Sequence, residues 1–123
     1  MFEICIKTTF SSAHRLRGYE GSCKNLHGHN WSVNAYIKSD KLDNLGMVKD
    51  FRDLKSVINK IVSELDHRDI NELPQFSEKN PTSENLAAYL FKRFSEKIND
   101  KNVKVSRVTV GESSKTEVSY WKE

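Results

Sequence analysis

Three of the four histidines in the sequence, His14, His27 and His29, fall between positions 14 and 29, and Cys23 lies among them. Alternate residues of a β-strand point to the same face, so a strand through H-G-H would direct two imidazoles toward one point. A third imidazole from the end of a paired strand would complete a protein zinc site with one open position. An open position is typical of reactive zinc, because structural sites use four protein ligands.

Both features allow a second interpretation. An H-x-H pattern also arises by chance among polar surface residues. Cys23 could be a fourth metal ligand, which would close the shell and make the site structural. It could equally be a reactive thiol beside the metal, since a thiolate near a divalent cation can accept a proton. Spacing alone does not separate these two roles.

The fourth histidine, His67, directly follows Asp66 near a predicted helix end. A carboxylate that orients an imidazole is the usual arrangement for a general acid or base, and histidine in general titrates near neutral pH. Chain neighbours need not face each other, however. The alternative interpretation is a solvated helix end.

The elements that must position these residues begin with a half-buried strand. Its alternating apolar positions are Phe2, Ile4, Ile6, Thr8 and Phe10, and His14 lies just beyond it. A glycine-containing loop over residues 15–28 leads to a second strand through Trp31, Val33, Ala35 and Ile37. His27 and His29 are therefore expected at a loop-to-strand junction, and the two strands can pair antiparallel.

Two amphipathic helices are predicted next. The first is capped by Asp50, ends near His67, and has an apolar face of Phe51, Leu54, Val57, Ile58, Ile61, Val62 and Leu65. The second is capped by Thr82 or Ser83 and directs inward Leu86, Ala87, Leu90, Phe91, Phe94 and Ile98.

The chain closes with a predicted hairpin. Its strands contain Val103, Val105, Val108 and Val110, then Val118, Tyr120 and Trp121, joined through GESSKT. The order ββααββ predicts one α+β domain over residues 1–123, a four-stranded antiparallel sheet with two helices on one face. The other face of the sheet must be exposed to solvent or covered by another subunit.

Composition narrows the class of protein. Apolar residues make up 37% and charged residues 30% of the chain, and no stretch approaches the roughly 20 apolar residues of a membrane span. With no signal-peptide pattern at the start, we expect a cytoplasmic protein in which Cys5 and Cys23 are free thiols. A scattered net charge of +3 does not suggest nucleic-acid binding, although it suits a small anionic substrate.

Five fragments occur together in one order: FSSAHRL (10–16), CKNLHGHN (23–30), LDHRDIN (65–71), NPTSEN (80–85) and VGE (110–112). With them the chain resembles, over essentially its full length, the 6-pyruvoyl tetrahydropterin synthase and 6-carboxytetrahydropterin synthase family. The resemblance implies the tunnelling fold (T-fold) and subunits joined in a barrel, as a trimer or hexamer with active sites between subunits. It also implies a zinc enzyme acting on 7,8-dihydroneopterin triphosphate.

The resemblance further implies a role for each site residue. It makes His14, His27 and His29 the zinc ligands, and Cys23 the catalytic thiol. Asp66 and His67 match the second proton-transfer pair, which in assembled relatives approaches the thiol from a neighbouring subunit.

Three more residues match positions that contact the pterin in relatives. Glu112 resembles the glutamate that anchors the guanidine-like edge, where a carboxylate accepts two parallel hydrogen bonds. Without the resemblance it would be a plain turn residue. Thr82 and Ser83 match pterin contacts, although helix capping alone explains residues of this type there.

Only three residues, 24–26, separate Cys23 from H-G-H, a spacing that resembles the carboxy branch of queuosine (7-deazapurine) biosynthesis. That branch makes 6-carboxy-5,6,7,8-tetrahydropterin, acetaldehyde and triphosphate. The alternative is the pyruvoyl branch of tetrahydrobiopterin-type pathways. Cys23 argues against the branch that makes a folate precursor, which tends to carry glutamate there. An alternative of another class is a non-catalytic, zinc-stabilised binding or assembly module.

Overall fold

The computed structural model describes residues 1–123, apart from the side chain of Ser22. Its strands and α-helices are β1 (Phe2–His14), β2 (His27–Ser39), α1 (Phe51–Ser63), α2 (Ser83–Ile98), β3 (Lys104–Ser113) and β4 (Thr116–Tyr120). The strands form one antiparallel sheet in the order β1-β2-β3-β4. Element order, sheet type and fold class confirm the prediction.

The first strand pair is longer than predicted. His14 was expected beyond β1, but β1 continues to His14 and pairs there with His27, the first residue of β2. The extension is stabilised from outside the sheet, because the backbone N–H of Ala13 donates to the Arg68 carbonyl at 2.9 Å and that of His67 donates to the Ser11 carbonyl at 2.6 Å. The segment after α1 therefore satisfies the free edge of β1 where the histidines begin.

The helix caps agree with the sequence. The Asp50 side chain accepts from the Arg52 N–H, and the Thr82 side chain accepts from the Asn85 N–H. All six residues expected on the inner face of α2 are buried. Two expectations for α1 are wrong: the helix ends at Ser63 and not near His67, and Phe51 at its first position is 53% exposed.

The core lies between one sheet face and both helices, and its largest fully buried side chains include Trp31, Phe76, Phe94, Ile37 and Leu54. A register shift between β2 and β3 pairs Tyr36 with Arg107 but Ile37 with Val105, so Ser106 is an extra, bulged residue. The bulge lets Val105 and Val108 both face the core although an odd number of positions separates them. No helix among the described residues is long and apolar enough to cross a membrane.

Candidate functional site

Three imidazoles converge at one end of the β1–β2 pair. His14 lies opposite His27, and Ser12 lies opposite His29, so all four side chains point to the sheet face that carries the helices. The ring centroids are 4.7 Å apart for His14 and His27 and 4.8 Å apart for His27 and His29. One nitrogen from each ring lies within 4.8 Å of the other two, a set that could hold a metal ion.

Backbone carbonyls fix which nitrogen of two rings is free. Nδ1 of His14 lies 2.7 Å from the Pro81 carbonyl oxygen, and Nδ1 of His27 lies 2.7 Å from that of Asn25. A carbonyl only accepts, so Nδ1 is the donor, and in the neutral ring Nε2 then keeps its lone pair. This is the arrangement that orients metal-ligating histidines. Nε2 of His29 is buried and has no hydrogen-bond partner among the described residues, which also suits a ligand atom.

Burial favours the neutral form, which metals require, for two of these rings. Loss of solvent lowers the pKa of His14, which is 1% exposed, against opposing effects of its bond to Pro81 and of the Glu112 charge. Burial likewise lowers the pKa of His29, again against Glu112. Neutral imidazoles keep the lone pairs that coordinate a cation.

Trp31 packs beneath His14 and His29, a role that the sequence did not predict for it. It is 0% exposed, and its ring lies edge-on to His14 at 4.8 Å and to His29 at 5.2 Å. It also stacks on Phe10 at 5.7 Å, and its Nε1–H donates to the Ser12 carbonyl at 3.1 Å. The alternation that places Trp31 two residues after His29 was the available signal.

Glu112 also lies at the histidine cluster, on β3 and not in a turn. One carboxylate oxygen is 3.5 Å from Nε2 of His29, and the other is 4.0 Å from Nε2 of His14. The Ser83 hydroxyl donates to Oε1 at 3.4 Å. The preceding residue must be glycine, because a Cβ at Gly111 would lie 2.7 Å from Oγ of Ser32 and 2.8 Å from the Thr116 carbonyl oxygen.

Thr82 and Ser83 turn out to do different things. Oγ1 of Thr82 accepts the Asn85 N–H at 3.0 Å, so this residue caps α2, whereas Ser83 is buried and contacts Glu112. A capping hydroxyl that accepts from the backbone keeps its own proton available to donate.

Cys23 lies in a single-turn 3₁₀ helix (Ser22–Lys24), half-buried, and its carbonyl accepts the Leu16 N–H at 2.8 Å. Over the described part of the chain, the group of converging ligand atoms comprises the three histidines and does not include the Cys23 sulfur. Cys5 and Cys23 are both free thiols. The arrangement therefore does not form a closed Cys-His₃ shell.

Asp66 and His67 do face each other. Oδ2 of Asp66 is 2.8 Å from Nδ1 of His67, and Oδ1 accepts the Ser11 N–H at 2.8 Å. The Ser11 bond, followed by the His67 contact, lowers the pKa of Asp66. His67 adopts a left-handed backbone (φ 55°) and its side chain is 81% exposed at the β1 edge. The imidazole is thus oriented by a carboxylate and presented outward from its own chain.

The loop after β1 is held by side chains that the sequence did not reveal. Asn71 and Asn80 each bond both the N–H and the C=O of one loop residue, Arg15 and Arg17 respectively. The Arg17 guanidinium donates to the carbonyls of Phe76 and Lys79 at 2.6 and 2.8 Å. The Arg17 side chain therefore helps to hold the loop.

A four-stranded antiparallel sheet with two helices on one face, and three imidazoles meeting on that same face, defines a T-fold enzyme domain with a candidate metal centre. The family model described as 6-pyruvoyl tetrahydropterin synthase matches residues 3–123. The chain therefore belongs to the 6-pyruvoyl tetrahydropterin synthase family, whose members are lyases that act on small pterin substrates.

Individual relatives agree with this assignment. A protein of Archaeoglobus fulgidus, provisionally named a 6-carboxy-5,6,7,8-tetrahydropterin synthase, is 40% identical over 110 residues, covering 89% of this chain and 87% of the relative. The 6-carboxy-5,6,7,8-tetrahydropterin synthase of Synechocystis sp. is 37% identical over 101 residues, covering 78% and 77%. The structure of Caenorhabditis elegans 6-pyruvoyl tetrahydropterin synthase superposes with a TM-score of 0.89 at 26% identity, covering 99% and 96%.

Proposed function

We propose that this enzyme is a zinc-dependent 6-carboxy-5,6,7,8-tetrahydropterin synthase. It converts 7,8-dihydroneopterin triphosphate, with water, into 6-carboxytetrahydropterin, acetaldehyde and triphosphate, as a carbon–carbon lyase of queuosine biosynthesis. The observation that carries the proposal is the convergence of three imidazoles in a chain whose named relatives include 6-carboxytetrahydropterin synthases. The short interval between Cys23 and His27 supports this branch.

The residues present fit zinc. His14, His27 and His29 would hold it through their nitrogens, and the carbonyls of Pro81 and Asn25 would orient two of these rings. Zinc in this position would supply a Lewis acid for the side-chain hydroxyls of the dihydropterin. The orphaned Nε2 of His29 is the structural observation that supports a ligand there.

Proton transfer falls to Cys23 and to the Asp66–His67 pair. The Cys23 thiolate takes the proton from the side-chain carbon of the substrate. His67 relays protons to and from the hydroxyl oxygens, and Asp66 holds the imidazole by the 2.8 Å contact to Nδ1. Nε2 of His67 then remains to meet the substrate.

Glu112, Ser83 and Thr82 bind the pterin. The carboxylate of Glu112 accepts two parallel hydrogen bonds from the guanidine-like edge of the ring. The Ser83 hydroxyl supports Oε1 of that carboxylate, and the Thr82 hydroxyl, which already accepts from Asn85, donates to the ring.

The active site is completed by a neighbouring subunit. β1 and β4 are the two edges of the sheet, and joining sheets edge to edge into a barrel removes exposed edges. His67 lies at the β1 edge with 81% of its side chain exposed, which supports a role for it at the Cys23 of another copy. We propose a trimeric barrel, alone or paired as a hexamer. Two free thiols suit a reducing compartment, and we place the enzyme in the cytoplasm.

Product analysis tests the function. The zinc-loaded protein is incubated with 7,8-dihydroneopterin triphosphate, and the products are separated by mass spectrometry, with Cys23→Ala as the matched control. We expect the carboxy compound together with acetaldehyde. The pyruvoyl compound without acetaldehyde would assign the protein to the pyruvoyl branch, which is the activity in the name of its C. elegans structural neighbour. Triphosphate retained on an unchanged substrate would refute both assignments.

A further inference from the structure

We propose that Glu112 is an exchangeable fourth ligand of the metal in the substrate-free protein, and that it leaves the metal when pterin binds. The inference rests on the proposed function for the identity of the pterin, but not for the metal contact itself. The carboxylate would thus have two alternative partners, the cation and the ring of the substrate.

Distances between protein atoms support the resting contact. In a tetrahedral zinc site with ligands at 2.0–2.1 Å, two ligand atoms lie about 3.3 Å apart. Oε2 of Glu112 is 3.5 Å from Nε2 of His29, and Oε1 is 4.0 Å from Nε2 of His14. The three histidine ligand atoms lie within 4.8 Å of one another, so all these distances shorten together if the atoms contract onto one ion. The carboxylate lies beside two of the three ligand nitrogens, and a shift toward His27 would be needed for it to join the converging group, which comprises the three histidines.

The contact between Glu112 and His29 is a long ion-pair contact that leaves the imidazole nitrogen without a hydrogen bond within the part of the chain that the structure describes. Nε2 of His29 is buried and, among the described residues, makes no hydrogen bond, although a carboxylate oxygen is 3.5 Å away. A buried polar atom without a partner costs free energy. A cation bound to both atoms would satisfy the nitrogen and the carboxylate together.

The carboxylate is also free enough to leave. Its backbone is fixed in β3 by the close packing at Gly111, but its side chain is 37% exposed. The hydrogen bond from Ser83 is long, at 3.4 Å. Rotation of the side chain alone can therefore redirect the two oxygens, with no movement of the strand.

The two uses of the carboxylate compete. Accepting two parallel hydrogen bonds from a pterin edge engages both oxygens of Glu112. Binding of the ring therefore opens the fourth metal position at the moment when the side-chain oxygens of the substrate arrive to fill it. Before that moment the carboxylate protects the metal from other ligands.

Competition has a thermodynamic signature, because coupling between two binding sites is reciprocal. A pterin that has the guanidine-like edge but no side-chain oxygens removes Glu112 from the metal and replaces it with nothing. Because the metal then has one protein ligand fewer, such a pterin, for example 6-methyl-7,8-dihydropterin, should weaken metal binding to the wild-type protein.

The first experiment compares Glu112→Gln with Glu96→Gln, a control at an exposed position of α2. Zinc affinity is measured by competition with a chromophoric chelator, and the coordination of Co²⁺ by its visible absorption. We expect Glu112→Gln to weaken zinc binding at least about tenfold, the lower end of what loss of a supporting partner costs, and to change the Co²⁺ spectrum. Weaker affinity with an unchanged spectrum would indicate a charge effect through space and would overturn the ligand assignment.

The second experiment needs no variant and so is independent of folding. The zinc affinity of the wild-type protein is measured with and without saturating 6-methyl-7,8-dihydropterin. Weaker zinc binding in its presence supports the exchange, and unchanged or tighter binding refutes it.

These outcomes are separable from the proposed function. If the protein fails to convert dihydroneopterin triphosphate but Glu112→Gln changes the Co²⁺ spectrum, the function is wrong and the fourth ligand stands. If turnover yields the carboxy compound and the Glu112→Gln spectrum matches wild type, the function stands and the exchange is refuted.

Discussion

Trp31→Phe should lower the free energy of unfolding by removing part of the packing beneath the histidines. The substitution keeps an aromatic ring against His14 and His29 but removes the outer ring and the N–H of the indole. The residue is fully buried, and its N–H donates to the Ser12 carbonyl at 3.1 Å. The lost volume is about 40 Å³, which at about 24 cal/mol per Å³ costs about 1 kcal/mol. The unpaired Ser12 carbonyl adds about 1–2 kcal/mol, for a total of about 2–3 kcal/mol.

Urea denaturation of the metal-free protein measures this difference. With a slope of about 2 kcal/mol/M, the midpoint should fall by about 1 M or more at equal protein concentration. Trp121→Phe is the matched control, because Trp121 is 55% exposed and its truncation should change the free energy of unfolding by less than about 0.5 kcal/mol. Equal midpoints for Trp31→Phe and wild type would refute the reasoning that the buried indole and its N–H stabilise the fold.

Three further predictions concern the site residues. Cys23→Ala should keep stoichiometric zinc and lose turnover by about 10²–10⁴-fold; metal analysis that shows no bound zinc would instead make the thiol a ligand. His27→Ala should lose zinc and activity together, and full metal content in the variant would exclude His27 as a ligand. Asp66, whose folded-state pKa is lowered, should stabilise the protein above the ordinary aspartate pKa and lose that contribution as the pH falls through the lowered value. Urea midpoints across the acid range should therefore decline less for Asp66→Asn than for wild type; parallel declines would contradict this account.

The sequence predicted the sheet, both helices and the histidine cluster because each depends on local spacing. Alternation in β1, the 3.6-residue period of α2 and the strand geometry of H-G-H all act within a few neighbouring residues. The end of β1 could not be predicted in this way. Its last residues are held by backbone bonds from residues 67 and 68, more than fifty positions away, and no local pattern reports such a partner.

The same limit applies to the second layer of the site. The carbonyls that orient His14 and His27 belong to Pro81 and Asn25, and a carbonyl has no signature in the residue type that carries it. The spacing of the valines likewise did not lead to a prediction of the bulge at Ser106, although the odd spacing between Val105 and Val108 was visible in the sequence. The candidate site side chains could be found from their residue types. The backbone groups that orient them could be identified only from the fold.

Asp66 links the chemistry of the enzyme to its architecture. One carboxylate oxygen accepts the Ser11 N–H and so satisfies part of the free edge of β1, and the other orients the imidazole of His67. His67 has a left-handed backbone, and 81% of its side chain is exposed. The proposed proton relay lies beside the part of the β1 edge that pairs with its own chain, next to the remaining edge that another copy would cover. The proposed barrel would therefore do more than cover exposed strands: it would bring each imidazole to a metal centre on a different copy of the chain.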